Sequence, residues 1–439
     1  MTISPQRRQE IIDALRRGTV PQRSLDAFAV GLDRFSGTVD EELDRVERGG
    51  AAFKAVRGEY GTGKTFFVRW LQERARARGF ATSEVQISET ETPLHHLETV
   101  YRRMVEHLAT SDAASGALRS ILDGWFYTLE QDVLADGSVH ESDAEQLVAR
   151  TNALMESRLA AVTRTAPALS AALRGYREAL ARGDNATAEG LLAWLAGQPN
   201  VGQDIKRRAQ LTGAIDHFGA LSFLQGLLVI LRDSGRPGLL LVLDEVETLQ
   251  RVRTDVRDKG LNALRQWLDE VDGGRFPGLY LVITGTSAFY DGPQGVQRLP
   301  PLAQRLHVSF GPDQRFDNPR AVQVRLTPFD PSRLVLVGQK IRDVFAEDSR
   351  AADRIRRLAD DAYLTDLARA VAGELGGKVG VAPRIFLKKL VAEVLDRIDQ
   401  FPDFDPRAHY ALTLSDTELT LSERSARTAT SADEIDLPL

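Results

Sequence analysis

The spacing of apolar residues changes several times along this chain, and the changes divide it into regions. Ile11, Ile12 and Leu15 recur at helical spacing within residues 5–25, a stretch that stops at Gly18 and Pro21. A second helix is predicted over Val39–Arg48, ended by the pair Gly49-Gly50. Phe53–Val56 then reads as a short strand, Thr65–Arg78 as the helix behind a glycine-rich loop, and Thr82–Ser88 as a second strand. From Pro93 to Arg232 the strand signal all but disappears. Helices are predicted there over Leu94–Leu108, Ala117–Leu134, Asp143–Arg164, Pro167–Arg182 and Ala186–Leu195, with one long element from Ile205 to Leu231. Pro167 suits a first helical turn, where its missing N–H is no loss.

Strands return as short, continuous apolar runs at Leu239–Leu243, Leu279–Thr284 and Val322–Leu326, the pattern of parallel strands buried on both faces. Strands alternating with helices imply a parallel sheet. Residues 331–400 are helical again, and the tail after Pro402 is polar and expected to be poorly ordered. The chain thus divides into a helical lead-in (1–50), an α/β base (51–330) carrying an all-helical insertion (93–232), a helical lid (331–400) and a tail (401–439).

Composition narrows the class. The chain has 439 residues, 43% hydrophobic and 27% charged, in the range of a globular protein with a sizeable core. No apolar run approaches the roughly 20 residues of a membrane span, and the N-terminus lacks the apolar stretch of a secretory signal. Cysteine is absent, which excludes disulfides and thiolate chemistry and fits a cytoplasmic protein. A net charge of −6 argues against bulk attraction to nucleic acid, so DNA would need a local basic patch.

The segment Gly58-Glu59-Tyr60-Gly61-Thr62-Gly63-Lys64-Thr65, followed by Phe66, fits G-x-x-x-x-G-K-[ST] between a predicted strand and a predicted helix. Glycines let the backbone curl so that its N–H groups meet a phosphate. Lys64 would reach the β- and γ-oxygens, Thr65 would ligate Mg²⁺, and the helix would aim its positive end at the same anion. The run Leu239–Leu243 ends in Asp244-Glu245. Asp244 is placed to serve the magnesium and Glu245 to polarise an attacking water. These residues point to a protein that binds ATP with Mg²⁺.

The strand Leu279–Thr284 offers a polar residue at its end, Thr284 or Thr286, to hold the lytic water or the γ-phosphate. Alternation does not choose between them, and the alternative is that they are turn residues satisfying backbone groups. Arg305 and Arg384 are each placed to bring a guanidinium to the γ-phosphate from a neighbour or a lid, against the ordinary reading of surface ion pairs. Arg251, Arg253, Arg257 and Lys259 form a basic run that faces DNA, a neighbour's nucleotide or simply solvent; the same choice holds for Arg7, Arg8, Arg16 and Arg17. His95-His96 lacks metal-site spacing, Gly285-Thr286-Ser287 lacks the second glycine of a nucleophile elbow, and the four tryptophans read as core or interface.

The order of these motifs resembles an AAA+ ATPase, and within that class the initiator clade of the Orc/Cdc6 type. Ala14–Pro21, Phe53–Gly61, Glu84–Thr90 and Leu243–Thr248 are similar to the BREX-system ATP-binding proteins of the BrxD family, over residues 8–415. The resemblance implies a P-loop AAA+ fold with a five-stranded parallel sheet, Val30 and Gly31 near the adenine, and Thr286 or Thr284 as sensor 1. It also implies Arg305 as an arginine finger supplied in trans within a homo-oligomer, and Arg384 as the sensor-2 arginine of the lid. A role in antiviral defence, beside other proteins of such a system, comes from the resemblance alone. Orc-type relatives often carry a C-terminal winged helix that grips DNA, and the polar tail after the lid is expected to be too short to form one. The resulting expectation is an ATPase that couples Mg-ATP to assembly or remodelling. The alternatives are a nucleotide-dependent assembly module with little turnover and a DNA-clamping protein.

Overall fold

The computed structural model describes residues 3–137, 139–140, 142–374 and 383–413. Five strands, β1 (Ala52–Arg57), β2 (Ala81–Gln86), β3 (Leu239–Asp244), β4 (Leu279–Gly285) and β5 (Gln323–Arg325), make one all-parallel sheet in the order β2-β3-β4-β1-β5. β3 and β4 are buried along their whole length, which is why they read as unbroken apolar runs.

Alternation along these strands sorts the core into two layers. Leu239, Leu241 and Leu243 of β3, with Leu279, Leu281 and Ile283 of β4, face one apolar cluster. Leu240 and Val242, with Tyr280 and Val282, face the other. The second face is covered by α1 (Pro5–Arg16), α2 (Asp33–Glu47), α3 (Lys64–Ala77) and the C-terminal helices.

The first face is covered by helices inserted between β2 and β3, namely α4 (Leu97–Glu106), α5 (Leu118–Ala135), α6 (Ala144–Arg158), α7 (Ala160–Thr163), α8 (Pro167–Ala181), α9 (Asn185–Leu195), α10 (Gln203–Arg208) and α11 (His217–Asp233). α12 (Thr254–Asp272) completes this layer. α13 (Ser287–Asp291) and α14 (Pro300–Leu306) lead from β4 to β5, and α15 (Pro331–Ala346), α16 (Ala352–Leu358), α17 (Asp361–Glu374) and α18 (Pro383–Lys388) follow.

Three helical expectations are corrected. The helix expected over Asp143–Arg164 turns at Leu159, a fully buried residue whose apolar character carries the pattern across the break. The long helix expected from Ile205 to Leu231 is two. Gln210 and Gly213 are left-handed between them, and the Asp216 side chain caps the second by accepting from the Gly219 N–H at 2.7 Å. α2 begins at Asp33, six residues before the predicted Val39. The polar tail from residue 414 onward lies outside the described residues, as do residues 375–382 of the region expected to be helical.

α1 is neither a solvated arm nor a free basic patch. Its Ile11, Ile12 and Leu15 are buried, and it packs on α15 and α18. Arg8 binds Asp348 and Glu347, and Arg16 donates to both oxygens of Asp396 at 2.7 and 2.8 Å, so two of the four N-terminal arginines tie α1 to the C-terminal helical region.

Candidate functional site

Strand register builds the site. Leu243 pairs with Ile283 and Val56 with Thr284, so the carboxyl ends of β1, β3 and β4 finish side by side. The Gly58 N–H extends this edge by donating to the Gly285 carbonyl at 3.1 Å. The chain then curls through Gly61 and Gly63, both left-handed at φ +79° and +91°, and enters α3 at Lys64. A Cβ at Gly58 would run into the Thr62 hydroxyl, which donates to the Glu59 carbonyl at 2.8 Å. The loop is therefore a bare backbone cradle at the N-terminus of a helix, which fits a phosphate.

Lys64 is buried at this edge. Its ammonium donates to the Gly58 carbonyl at 2.7 Å, lies 4.9 Å from the centre of the Tyr60 ring and stands 3.8 Å from Glu247. Thr65 is half-buried on the first turn of α3, and the Phe66 ring meets Phe28 edge-on at 5.2 Å, which docks the lead-in on the phosphate-loop helix. Tyr60 receives a hydrogen bond from Arg251 at 3.3 Å, and burial pushes its phenol up to about 12.

Asp244 ends β3. Burial pushes its carboxyl up to about 6, against the stabilising hydrogen bond donated by the Thr284 hydroxyl. The same Thr284 oxygen accepts from the Glu245 N–H at 3.0 Å. Glu245 is one of three non-glycine residues with left-handed backbone among the described residues, at φ +58°. Strain of this kind costs about 1–3 kcal/mol and gathers at functional sites. The Glu245 carboxylate accepts from Gln86 at the end of β2, at 2.9 Å. The structure thus brings Thr284 to the Asp244 carboxylate and the Glu245 backbone, whereas the Thr286 side chain caps α13 by accepting from Phe289.

The remaining sequence candidates lie elsewhere on the fold. Gly31 lines a groove of 880 Å³ with Arg34, Arg315 and Arg333, and Val30 is partly buried beside it. Arg305 lies on α14, paired with Asp269 and, at 3.7 Å, with Asp272, both on α12. Arg384 lies on α18 against α1, where a Cβ at Gly18 would meet its guanidinium at 3.5 Å. Arg257 is buried and donates to the carbonyls of Leu249, Gln250 and Val252, so it belongs to the fold rather than to a basic face.

Two residues went unnoticed in the sequence. Gln86 gave no signal beyond lying within a predicted strand. Glu247 gave a faint one, an acid three residues after Asp244. It is 2% exposed, and burial pushes its carboxyl up to about 7.

A five-stranded parallel sheet with a glycine cradle between β1 and α3, and an acidic pair at the end of β3, is the fold of a P-loop ATPase. The particular family follows from comparison: the model of the BREX system ATP-binding protein BrxC/D matches residues 3–414, and the chain belongs to that family. No curated protein matches the chain. Among the described residues, no helix is long and apolar enough to cross a membrane.

Proposed function

We propose that this chain hydrolyses ATP with Mg²⁺ at the carboxyl edge of its sheet and uses the cycle to assemble or remodel a BREX defence complex. The observation that carries this reading is the convergence on the end of β4 of the loop Gly58–Thr65, whose Gly58 N–H donates to the Gly285 carbonyl, and of Asp244 and Glu245, both hydrogen-bonded to Thr284. In it, the loop N–H groups and Lys64 would hold the β- and γ-phosphates, and the Thr65 hydroxyl and Asp244 would hold the metal. Bound magnesium would supply positive charge to the phosphate oxygens. Glu245 accepts a proton from the attacking water. Thr284, rather than Thr286, fits the sensor role, because its hydroxyl already touches both motif residues. Val30 and Gly31 approach the adenine, Arg384 acts from the lid, and Arg305 serves a neighbouring subunit's nucleotide in a homo-oligomer.

A low-turnover assembly module is the second reading. It is favoured by Glu245 being held by Gln86 and by Arg305 being paired within its own chain, which leave both to be released by a partner. DNA as the object of the work draws less support, since Arg8, Arg16 and Arg257 are engaged internally.

The test is phosphate release from Mg-ATP by the wild-type protein, alone and with other proteins of the same defence system, with Lys64→Ala as control. Release by the wild type and none by the variant is expected. Absence of release in every combination would leave the assembly module standing.

A further inference from the structure

The phosphate loop and the Asp244-Glu245 pair leave one charged group at the site without a task. Glu247 lies within the 3₁₀ turn Val246–Gln250, next to the acidic pair but turned inward. Neither of its carboxylate oxygens has a hydrogen-bond partner among the described residues. The fully buried Tyr290 hydroxyl also lacks a partner and feels the Glu247 charge, which with burial raises its pKa. A carboxylate in such a place is costly to keep charged unless a cation compensates it. The cation at hand is Lys64, 3.8 Å away.

Lys64 is therefore claimed on its own chain by the Gly58 carbonyl, by the face of Tyr60 and by Glu247. The phosphates need the same ammonium, and a compact cation with three donors cannot serve the carboxylate and a triphosphate equally. We infer that Glu247 is a positioning residue that competes with the nucleotide for Lys64 and so holds down nucleotide affinity. Its negative charge also opposes that of the phosphates, so both effects act in one direction. The inference rests on the reading that Lys64 takes the phosphates. It differs from a merely structural role in sign: loss of a structural carboxylate weakens the site, whereas loss of a competitor strengthens it.

The experiment is calorimetric titration of the full chain with Mg-ATP, and separately with ADP, for wild type, E247Q, E247D, E247M and K64A. A thermal melt of each variant shows that it is folded. E247Q is expected to bind at least about threefold more tightly than wild type, from loss of one close charge. E247D, which keeps the charge, should stay within about twofold of wild type on the same argument. E247M carries the test if the buried amide of E247Q prevents folding, since an apolar side chain of similar volume brings no polar group that needs a partner. Unchanged or weaker binding by the folded charge-free variants overturns the inference, as does failure of both to fold. If K64A binds as wild type does, the phosphate-loop reading itself fails. If K64A loses binding and E247Q gains none, only the role of Glu247 fails.

Discussion

One hydroxyl holds both residues of the acidic motif. Thr284 is fully buried, donates to Asp244 and accepts from the Glu245 backbone, so it fixes both motif residues at once. Thr284→Ala should cost about 1–3 kcal/mol of stability, because it strands a buried carboxyl and an N–H. It should also lower ATP turnover at least about tenfold, while Thr284→Ser should keep most of both. Urea denaturation with phosphate release checks the pair. Equal turnover in the alanine variant would remove Thr284 from the mechanism.

The buried acids make a second claim at this scale. Asp244 at about 6 and Glu247 at about 7 both titrate above their ordinary values of 3.8 and 4.5, through burial. Between the ordinary and the raised value the folded state binds more protons than the unfolded one. Stability contributed by these groups is therefore full below about pH 4 and declines as pH rises toward 7, then levels off. Glu247→Gln should remove its share and stabilise the protein at pH 8 by up to about 3 kcal/mol, but hardly at pH 4.5. Urea midpoints measured across that range report it, and a gain independent of pH would contradict the assigned burial effect. The choice of Thr284 over Thr286 and the burial of Glu247 were not legible from sequence. Alternation left Thr284 and Thr286 equal, and only the pairing of β4 with its neighbours turns one toward Asp244. The burial of Glu247 depends on the turn that follows a left-handed Glu245.

At the scale of elements, legibility followed the strength of the local signal. The strands around the site stood out because a strand buried on both faces is apolar at every position, and the phosphate loop because its glycines recur at fixed spacing. The insertion was legible as helical but not in its breaks. Leu159 and Leu211 are buried apolar residues sitting in turns, so periodicity runs straight through them. The local cue that was present is a cap. Asp216 accepts from Gly219 and opens α11. Asp216→Ala should destabilise the protein by about 1 kcal/mol and Asp216→Asn by much less, measured by urea denaturation. Equal loss in both variants would mean that the carboxylate acts by charge rather than by capping. The docking of α1 on the lid through Arg8 and Arg16 had no local cue either, since ion-pair partners more than 330 residues away are a property of the fold.

The whole molecule places a nucleotide edge between two differently covered faces. One face carries the inserted helices, and the other carries the lead-in, α3 and the lid in a single apolar cluster. Lead-in and lid are joined again where Lys340 of α15 donates to the Ala29 carbonyl at 2.6 Å, next to Val30 and Gly31. A nucleotide gripped there would be read by lid and lead-in together. If Arg305 acts on a neighbour, it must leave Asp269. Arg305→Ala should then abolish turnover in the assembled state while leaving ATP affinity of the isolated chain unchanged, as titration and phosphate release together would show. Loss of affinity in the isolated chain would instead mark Arg305 as part of its own site.

The central claim is that the edge formed by Gly58–Thr65 and Asp244-Glu245 both binds and cleaves ATP. Its most direct test compares wild type with Glu245→Gln, measuring Mg-ATP binding and phosphate release on the same preparation. The account predicts that binding is retained and that release falls by about two orders of magnitude or more, the share of a positioned general base. Release by Glu245→Gln at the wild-type rate would contradict it.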